Sequence, residues 1–156
     1  MRLTEVLTPE RIVIDAAGAE LCDKASALRR LATLLAVPAR ADEGSVHALL
    51  DERERVQSTG IGDGVAIPHA FLDEAIGQSA ALLLCRHGIP FDAIDSAPVG
   101  IVFGVVGPRS ETGAHLRMLA RISRLLRNSE TRRRLLAAVD ASEAFRLVAE
   151  QDEALG

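Results

Sequence analysis

Two apolar runs constrain this chain more than anything else in it. SAALLLCR (79–86) and VGIVFGVVG (99–107) carry one charge between them, at Arg86. Continuous runs of this kind suit strands covered on both faces, since a strand with one wet face would show a polar residue at every second position. A sheet buried on both sides needs helices above and below it, which predicts an α/β layered domain.

The flanking sequence supplies those helices. Residues 20–36 place Leu21, Ala25, Leu28, Leu31, Ala32 and Leu35 on one stripe, and Pro38 is expected to end that helix. Asp42 reads as the N-cap of a second helix over 43–55, with Val46, Leu49 and Leu50 facing inward. A long helix is expected over 111–127, burying Leu116, Leu119, Ile122, Leu125 and Leu126 and carrying Arg117, Arg121, Arg124 and Arg127 on its other sides. Two more should follow near 129–139 and 142–150, capped by Ser129 and Ser142, with the closing QDEALG frayed. RIVID (11–15) and VAI (65–67) read as short strands. No repeat or linker divides the chain, so residues 1–156 are expected to form a single domain.

Composition narrows the function. Hydrophobic residues make up 48% and the only aromatics are four Phe, so the core must be Leu, Val, Ile and Ala. A net charge of -4 with no Trp or Tyr argues against a nucleic-acid partner. No window approaches the roughly 18 apolar residues of a membrane span, and the N-terminus lacks a signal-peptide core, so a cytoplasmic protein is expected. Cys22, expected in a helix, and Cys85, expected in a strand, read as buried thiols and not as a disulfide.

The segment STGIGDGVAIPHA (58–70) is where the chemistry concentrates. Three glycines precede a short strand, Pro68 stops it, and His69 stands at the corner. Pro68 fixes its own φ and holds Ile67 extended. The glycines precede a strand and do not open a helix after one, so this is neither a dinucleotide fingerprint nor a Walker loop. On its residues alone the segment reads equally as a functional loop or as a plain connection. Arg53 falls on the stripe of Val46, Leu49 and Leu50, where an arginine needs an anion or must reach out to solvent. His115 sits near the start of the long helix, where free N–H groups favour an anion and keep an imidazole neutral; by position alone it reads as an exposed first-turn residue. His47 and His87 read as surface residues. No HxH, HExxH or CxxC spacing suggests a metal, and no G-x-S-x-G elbow suggests a hydrolase.

DERERVQSTGIGDGVAIPH, FDAIDSAPVGIVFGVVGP and HLRMLARISRLLRN together resemble the enzyme IIA domains of the bacterial phosphoenolpyruvate-dependent phosphotransferase system, in the fructose/mannitol/nitrogen-regulatory branch. The resemblance covers nearly the whole chain and its first motif is the most specific. It implies a mixed, mostly parallel sheet flanked by helices on both faces. It also implies that His69 accepts a phosphoryl group, that His115 lies beside it as a donor, and that Arg53 supports the phosphate. Backbone N–H groups of the glycine segment could cradle the anion, Ser58 and Thr59 could add hydroxyl donors or merely shape the turn, and Ala70, Phe71 and Leu72 could form an apolar docking rim. No cofactor or metal is implied. The implied partners are a histidine phosphocarrier protein (HPr or its nitrogen-type counterpart), and either a IIB protein or regulated target proteins; weak self-association is common among such domains. Ala70 stands where many relatives have glycine, as does Gln57. A IIA chain without a IIB or permease most resembles the nitrogen-regulatory type.

Overall fold

The computed structural model describes all 156 residues. The elements run β1 (Ile12–Ile14), α1 (Lys24–Ala39), α2 (Glu43–Val56), β2 (Gly60–Gly62), β3 (Val65–Ala66), β4 (His69–Phe71), β5 (Ser79–Ile89), β6 (Val99–Gly107), α3 (Thr112–Leu126), α4 (Ser129–Leu136) and α5 (Ala141–Ala154). One sheet is ordered β1-β5-β6-β3-β2, with β4 also paired to β6. Three pairings are parallel (β1 with β5, β3 and β4 with β6). Two are antiparallel, and one of these, β5 with β6, is the longest ladder of the sheet.

The two apolar runs are β5 and β6, and their side chains divide between two cores. Ala81, Leu83, Cys85, Val102 and Val106 join the α1–α2 side, a cluster of 23 buried residues. Ala80, Leu82, Leu84, Ile101, Phe103 and Val105 join the α3–α5 side, a cluster of 21. The near-equal sizes explain why neither strand alternates: each face has its own helical layer to fill. Burial pushes the Cys85 thiol up to about 12, so it is inert packing.

Local boundaries differ from the sequence expectations in several places. Helix α1 starts later than residue 20, because Asp23 accepts from the Ser26 N–H and Ser26 answers in a capping box. Cys22 therefore precedes the helix and is exposed. Pro38 lies inside the last turn of α1; it forfeits one i−4 hydrogen bond, while Leu35, Ala36 and Ala39 stay buried on either side. Asn128, not Ser129, caps α4, accepting from the Thr131 N–H. Asp140, not Ser142, caps α5, and that helix continues to Ala154. Its end is held because Asp152, 1% exposed, accepts from the Leu3 N–H at 2.7 Å and pairs with Arg121. In α3 the buried stripe is His115, Met118, Ile122, Leu125 and Leu126, while Leu116 is 58% exposed. Ile122, Leu125 and Leu126 are buried as expected and Leu119 packs half-buried on the same core, but at the start of the helix His115 and Met118 turn inward in place of Leu116.

Candidate functional site

Strands β3 and β4 are one strand interrupted. Val65 and Ala66 pair with Ile101 and Val102, and His69 to Phe71 pair with Val105 to Gly107, so the register along β6 is unbroken. The break falls at Ile67-Pro68, where Pro68 has no N–H for the ladder, although its carbonyl still accepts from Val105. The Ile67 carbonyl is left to the His69 ring, whose Nδ1 lies 2.8 Å away. A carbonyl can only accept, so Nδ1 carries the hydrogen and Nε2 keeps its lone pair. The proline corner thus sets the tautomer of the histidine that follows it.

The glycine segment upstream is a β-hairpin. Asp63 (φ 57) and Gly64 (φ 74) form its two-residue turn, an Asp-Gly signal that the sequence displayed. Two of its N–H groups are already engaged, that of Gly60 by the Ser58 hydroxyl and that of Asp63 by the Asp95 carboxylate, and so are not free to cradle an anion. Ser58 and Thr59 are also occupied. The Ser58 hydroxyl donates to the Phe91 carbonyl, and the Thr59 hydroxyl and N–H both donate to Glu54. Glu54, buried, is held in turn by Lys24 at 3.1 Å. These residues fix the loop that leads into His69.

His69 and His115 are brought together, with ring centroids 5.8 Å apart. His115 is 1% exposed, not the exposed first-turn residue its position suggested; it is the N-terminal member of the buried stripe of α3. Phe71 stacks 4.6 Å from the His115 ring, and the Arg109 guanidinium lies 5.2 Å from the centroid of the Phe71 ring. Phe71 is half-buried, a wall of the site. Ala70 and Leu72 are buried in the α1–α2 core and cannot form a docking rim. The apolar rim consists instead of Val56, 80% exposed, and Ile61, 50% exposed.

Arg53 and His69 line two adjoining clefts. One, about 300 Å³, is closed by Leu49, Glu52, Val56, Phe71 and Arg109. The other, about 250 Å³, is closed by Gln57, Ile61, Ile67, Leu119 and Ser123. Arg53 donates from one guanidinium nitrogen to the Gln57 carbonyl at 2.8 Å and makes no ion pair, so the rest of its fork stays free for an anion. His47 and His87 lie apart from this group; His87 is tied to the Leu21 carbonyl at 2.8 Å.

Electrostatics keep both imidazoles neutral. Burial pushes His69 below its ordinary value and the Arg53 charge adds to that, against the opposing pull of the Ile67 carbonyl and Glu54. Burial, with His69 beside it, brings His115 down to about 4. A neutral imidazole with a free Nε2, next to an unpaired guanidinium, has the chemistry to attack an anionic electrophile. Sequence reasoning missed the Ile67 carbonyl, Glu54 and Gln78, whose Oε1 lies 2.8 Å from the His115 Nδ1. Glu54 and Ile67 lie within the motif DERERVQSTGIGDGVAIPH without any signal of these contacts, and Gln78 lies in no motif; only the fold reveals what they touch.

The chain is similar to known proteins over nearly its whole length. A nitrogen regulatory protein of Pseudomonas aeruginosa is 33% identical over 150 residues, covering 95% of each chain. The fructose-specific EIIABC component of Bacillus subtilis is 29% identical over 98% of this chain, which spans 24% of that protein. The crystal structure of the nitrogen regulatory protein IIA-Ntr from Neisseria meningitidis superposes with a TM-score of 0.86 at 29% identity, covering 92% of this chain and 97% of that one. Residues 5–151 match the family described as phosphoenolpyruvate-dependent sugar phosphotransferase system, EIIA 2, and the chain belongs to that family.

Proposed function

We propose that this protein is a phosphohistidine carrier of the phosphotransferase system, with His69 Nε2 as the acceptor and a histidine phosphocarrier protein as the donor. The observation that carries the reading is the His69 Nδ1–H bond to the Ile67 carbonyl, which leaves Nε2 bare beside the free fork of Arg53. In the transfer, the Nε2 lone pair forms the new N–P bond as the donor's N–P bond breaks and its electron pair returns to the donor imidazole. Arg53 offers charge-assisted donors to the phosphoryl oxygens, and His115 stands beside His69 with ring centroids 5.8 Å apart. No step asks for a metal or a cofactor; positioning and preorganised charge lower the barrier. His69, Arg53 and His115 are the proposed catalytic residues, on one domain spanning 1–156 of a cytoplasmic protein.

The full-length similarity to nitrogen regulatory proteins favours a regulatory output, in which the phosphorylated and free forms bind different target proteins. The similarity to a fructose-specific component supports a second reading, onward transfer to a separate IIB. Incubating the phosphorylated protein with isolated IIB proteins separates the two, since only the second predicts loss of the phosphoryl group at a transfer rate. The acceptor atom is read by ³¹P–¹⁵N coupling in imidazole-labelled protein: the coupling is expected at Nε2 of His69, and coupling at Nδ1 contradicts the proposal.

A further inference from the structure

The family resemblance implies that His115 donates to a phosphoryl oxygen, yet the structure gives it no hydrogen to donate there. Its Nδ1 lies 2.8 Å from Gln78 Oε1, which can only accept, so the hydrogen is on Nδ1. Its Nε2 is buried and has no partner, and neither does the Gln78 amide nitrogen. His115 lies in the first turns of α3, whose positive end favours an oxygen turned towards it and the amide NH₂ turned away.

Gly107 indicates that the Gln78 amide is built into the site. A Cβ at position 107 would lie 2.2 Å from Gln78 Nε2 and 2.3 Å from its Cδ and Oε1, so the amide lies flat on bare backbone. Gly107 has no positive φ, so its own conformation does not require glycine. What requires it is the space Gln78 fills. Gly107 is also the β6 residue paired with Phe71, the ring that stacks on His115. Gln78, 8% exposed, Gly107, Phe71 and His115 therefore form one packed unit behind His69.

We propose that Gln78 is the positioning residue of His115: its Oε1 holds the Nδ1–H tautomer, so His115 faces the incoming phosphoryl group with a bare Nε2 and becomes a donor only by taking up a proton from solvent. The proposal rests on His69 as acceptor for its second half only. No bond to His115 forms or breaks except N–H. The proton binds Nε2 as the phosphoryl dianion arrives on His69, giving an imidazolium bonded on one side to Gln78 and on the other to phosphate. The groups facing His115 fit this assignment. β4 brings neutral His69 and apolar Phe71, and Gly107 of β6 pairs with Phe71. Arg109 lies over the Phe71 ring, and Arg53 and Glu54 of α2 act through His69. No carboxylate touches His115, so the phosphoryl group is the one anion able to hold it charged.

The test begins on unphosphorylated, ¹⁵N-imidazole-labelled protein near neutral pH. Two-bond ¹H–¹⁵N correlations should show His115 protonated on Nδ1 and bare on Nε2. Gln78→Leu, and independently Gly107→Ala, should shift it to a mixture of tautomers. Gln78→Glu should leave both nitrogens protonated. A wild-type His115 protonated on Nε2, or a tautomer indifferent to Gln78→Leu, would overturn the proposal. These arms need no phosphorylation, so failure of His69 as acceptor leaves them standing. In phosphorylated protein both His115 nitrogens should be protonated, and an unchanged bare Nε2 would refute the proton uptake. Gln78→Leu should also slow phosphoryl acceptance on the order of 10-fold, with its pH dependence altered, whereas a purely structural role would move melting temperature and leave the pH profile in place.

Discussion

The Nδ1 of His69 lies 2.8 Å from the carbonyl oxygen of Ile67, two residues back along the same interrupted strand. That contact links sequence to chemistry in one step. Pro68 takes a donor out of the ladder, the freed carbonyl fixes the ring, and the fixed ring presents its other nitrogen to the clefts beside Arg53.

Because burial and Arg53 both depress His69, an NMR titration should place its midpoint below the ordinary 6.5. Arg53→Ala should move that midpoint upwards, since a nearby cation is gone. A midpoint unmoved by the substitution would mean that the guanidinium does not act on the ring.

Arg53→Ala should cost little stability, within about 1 kcal/mol, because its only bond is to the exposed Gln57 carbonyl. The same change should slow phosphoryl acceptance by about 100-fold, the scale of losing one preorganised donor to a developing charge. Arg53→Lys should recover part of this, keeping the charge but not the fork. Stopped-flow transfer from a phosphorylated carrier reads the rates, and urea unfolding reads the stability.

His115 is neutral and buried in the folded protein but free to protonate when unfolded. With its folded value near 4 and its unfolded value near 6.5, the unfolded state binds more protons between those limits. Stability should therefore fall as pH drops from about 6.5 to about 4, by on the order of 3 kcal/mol from this group, and level off below. In urea denaturation at a series of pH values, His115→Asn should flatten that slope. An equally steep acid slope in the variant would assign it elsewhere.

Asp152 joins the two ends of the chain through the Leu3 N–H and Arg121. Asp152→Ala strands a buried donor and a largely buried guanidinium and should cost about 3–5 kcal/mol. It touches no residue of the site, so phosphorylation well below the melting temperature should be unaffected. Thermal melts beside a transfer assay give both readouts.

The layered architecture was legible because β5 and β6 are apolar on both faces, a pattern that only a doubly covered sheet explains. The corner at His69 was legible because Pro68 marks its backbone consequence in the sequence itself, whereas the role expected of His69 came from the family resemblance. The burial of His115 was misread because Leu116 competes for the same stripe by hydropathy, and tertiary packing chose the register that turns the histidine inward. The rim was misplaced for a related reason. Ala70 and Leu72 look like surface residues beside a functional histidine, but β4 pairs with β6 and carries them into the core. Gln78 and Gly107 are 29 positions apart and Gln78 lies in no motif, so their contact exists only in the folded chain.

The most direct measurement is intact mass after incubation with phosphoenolpyruvate, enzyme I and a histidine phosphocarrier protein, with wild type beside His69→Ala. One acid-labile phosphoryl group on wild type and none on His69→Ala is the predicted result. A wild-type chain that gains no phosphoryl group from any competent carrier, or a His69→Ala chain that gains one as readily, would contradict the account.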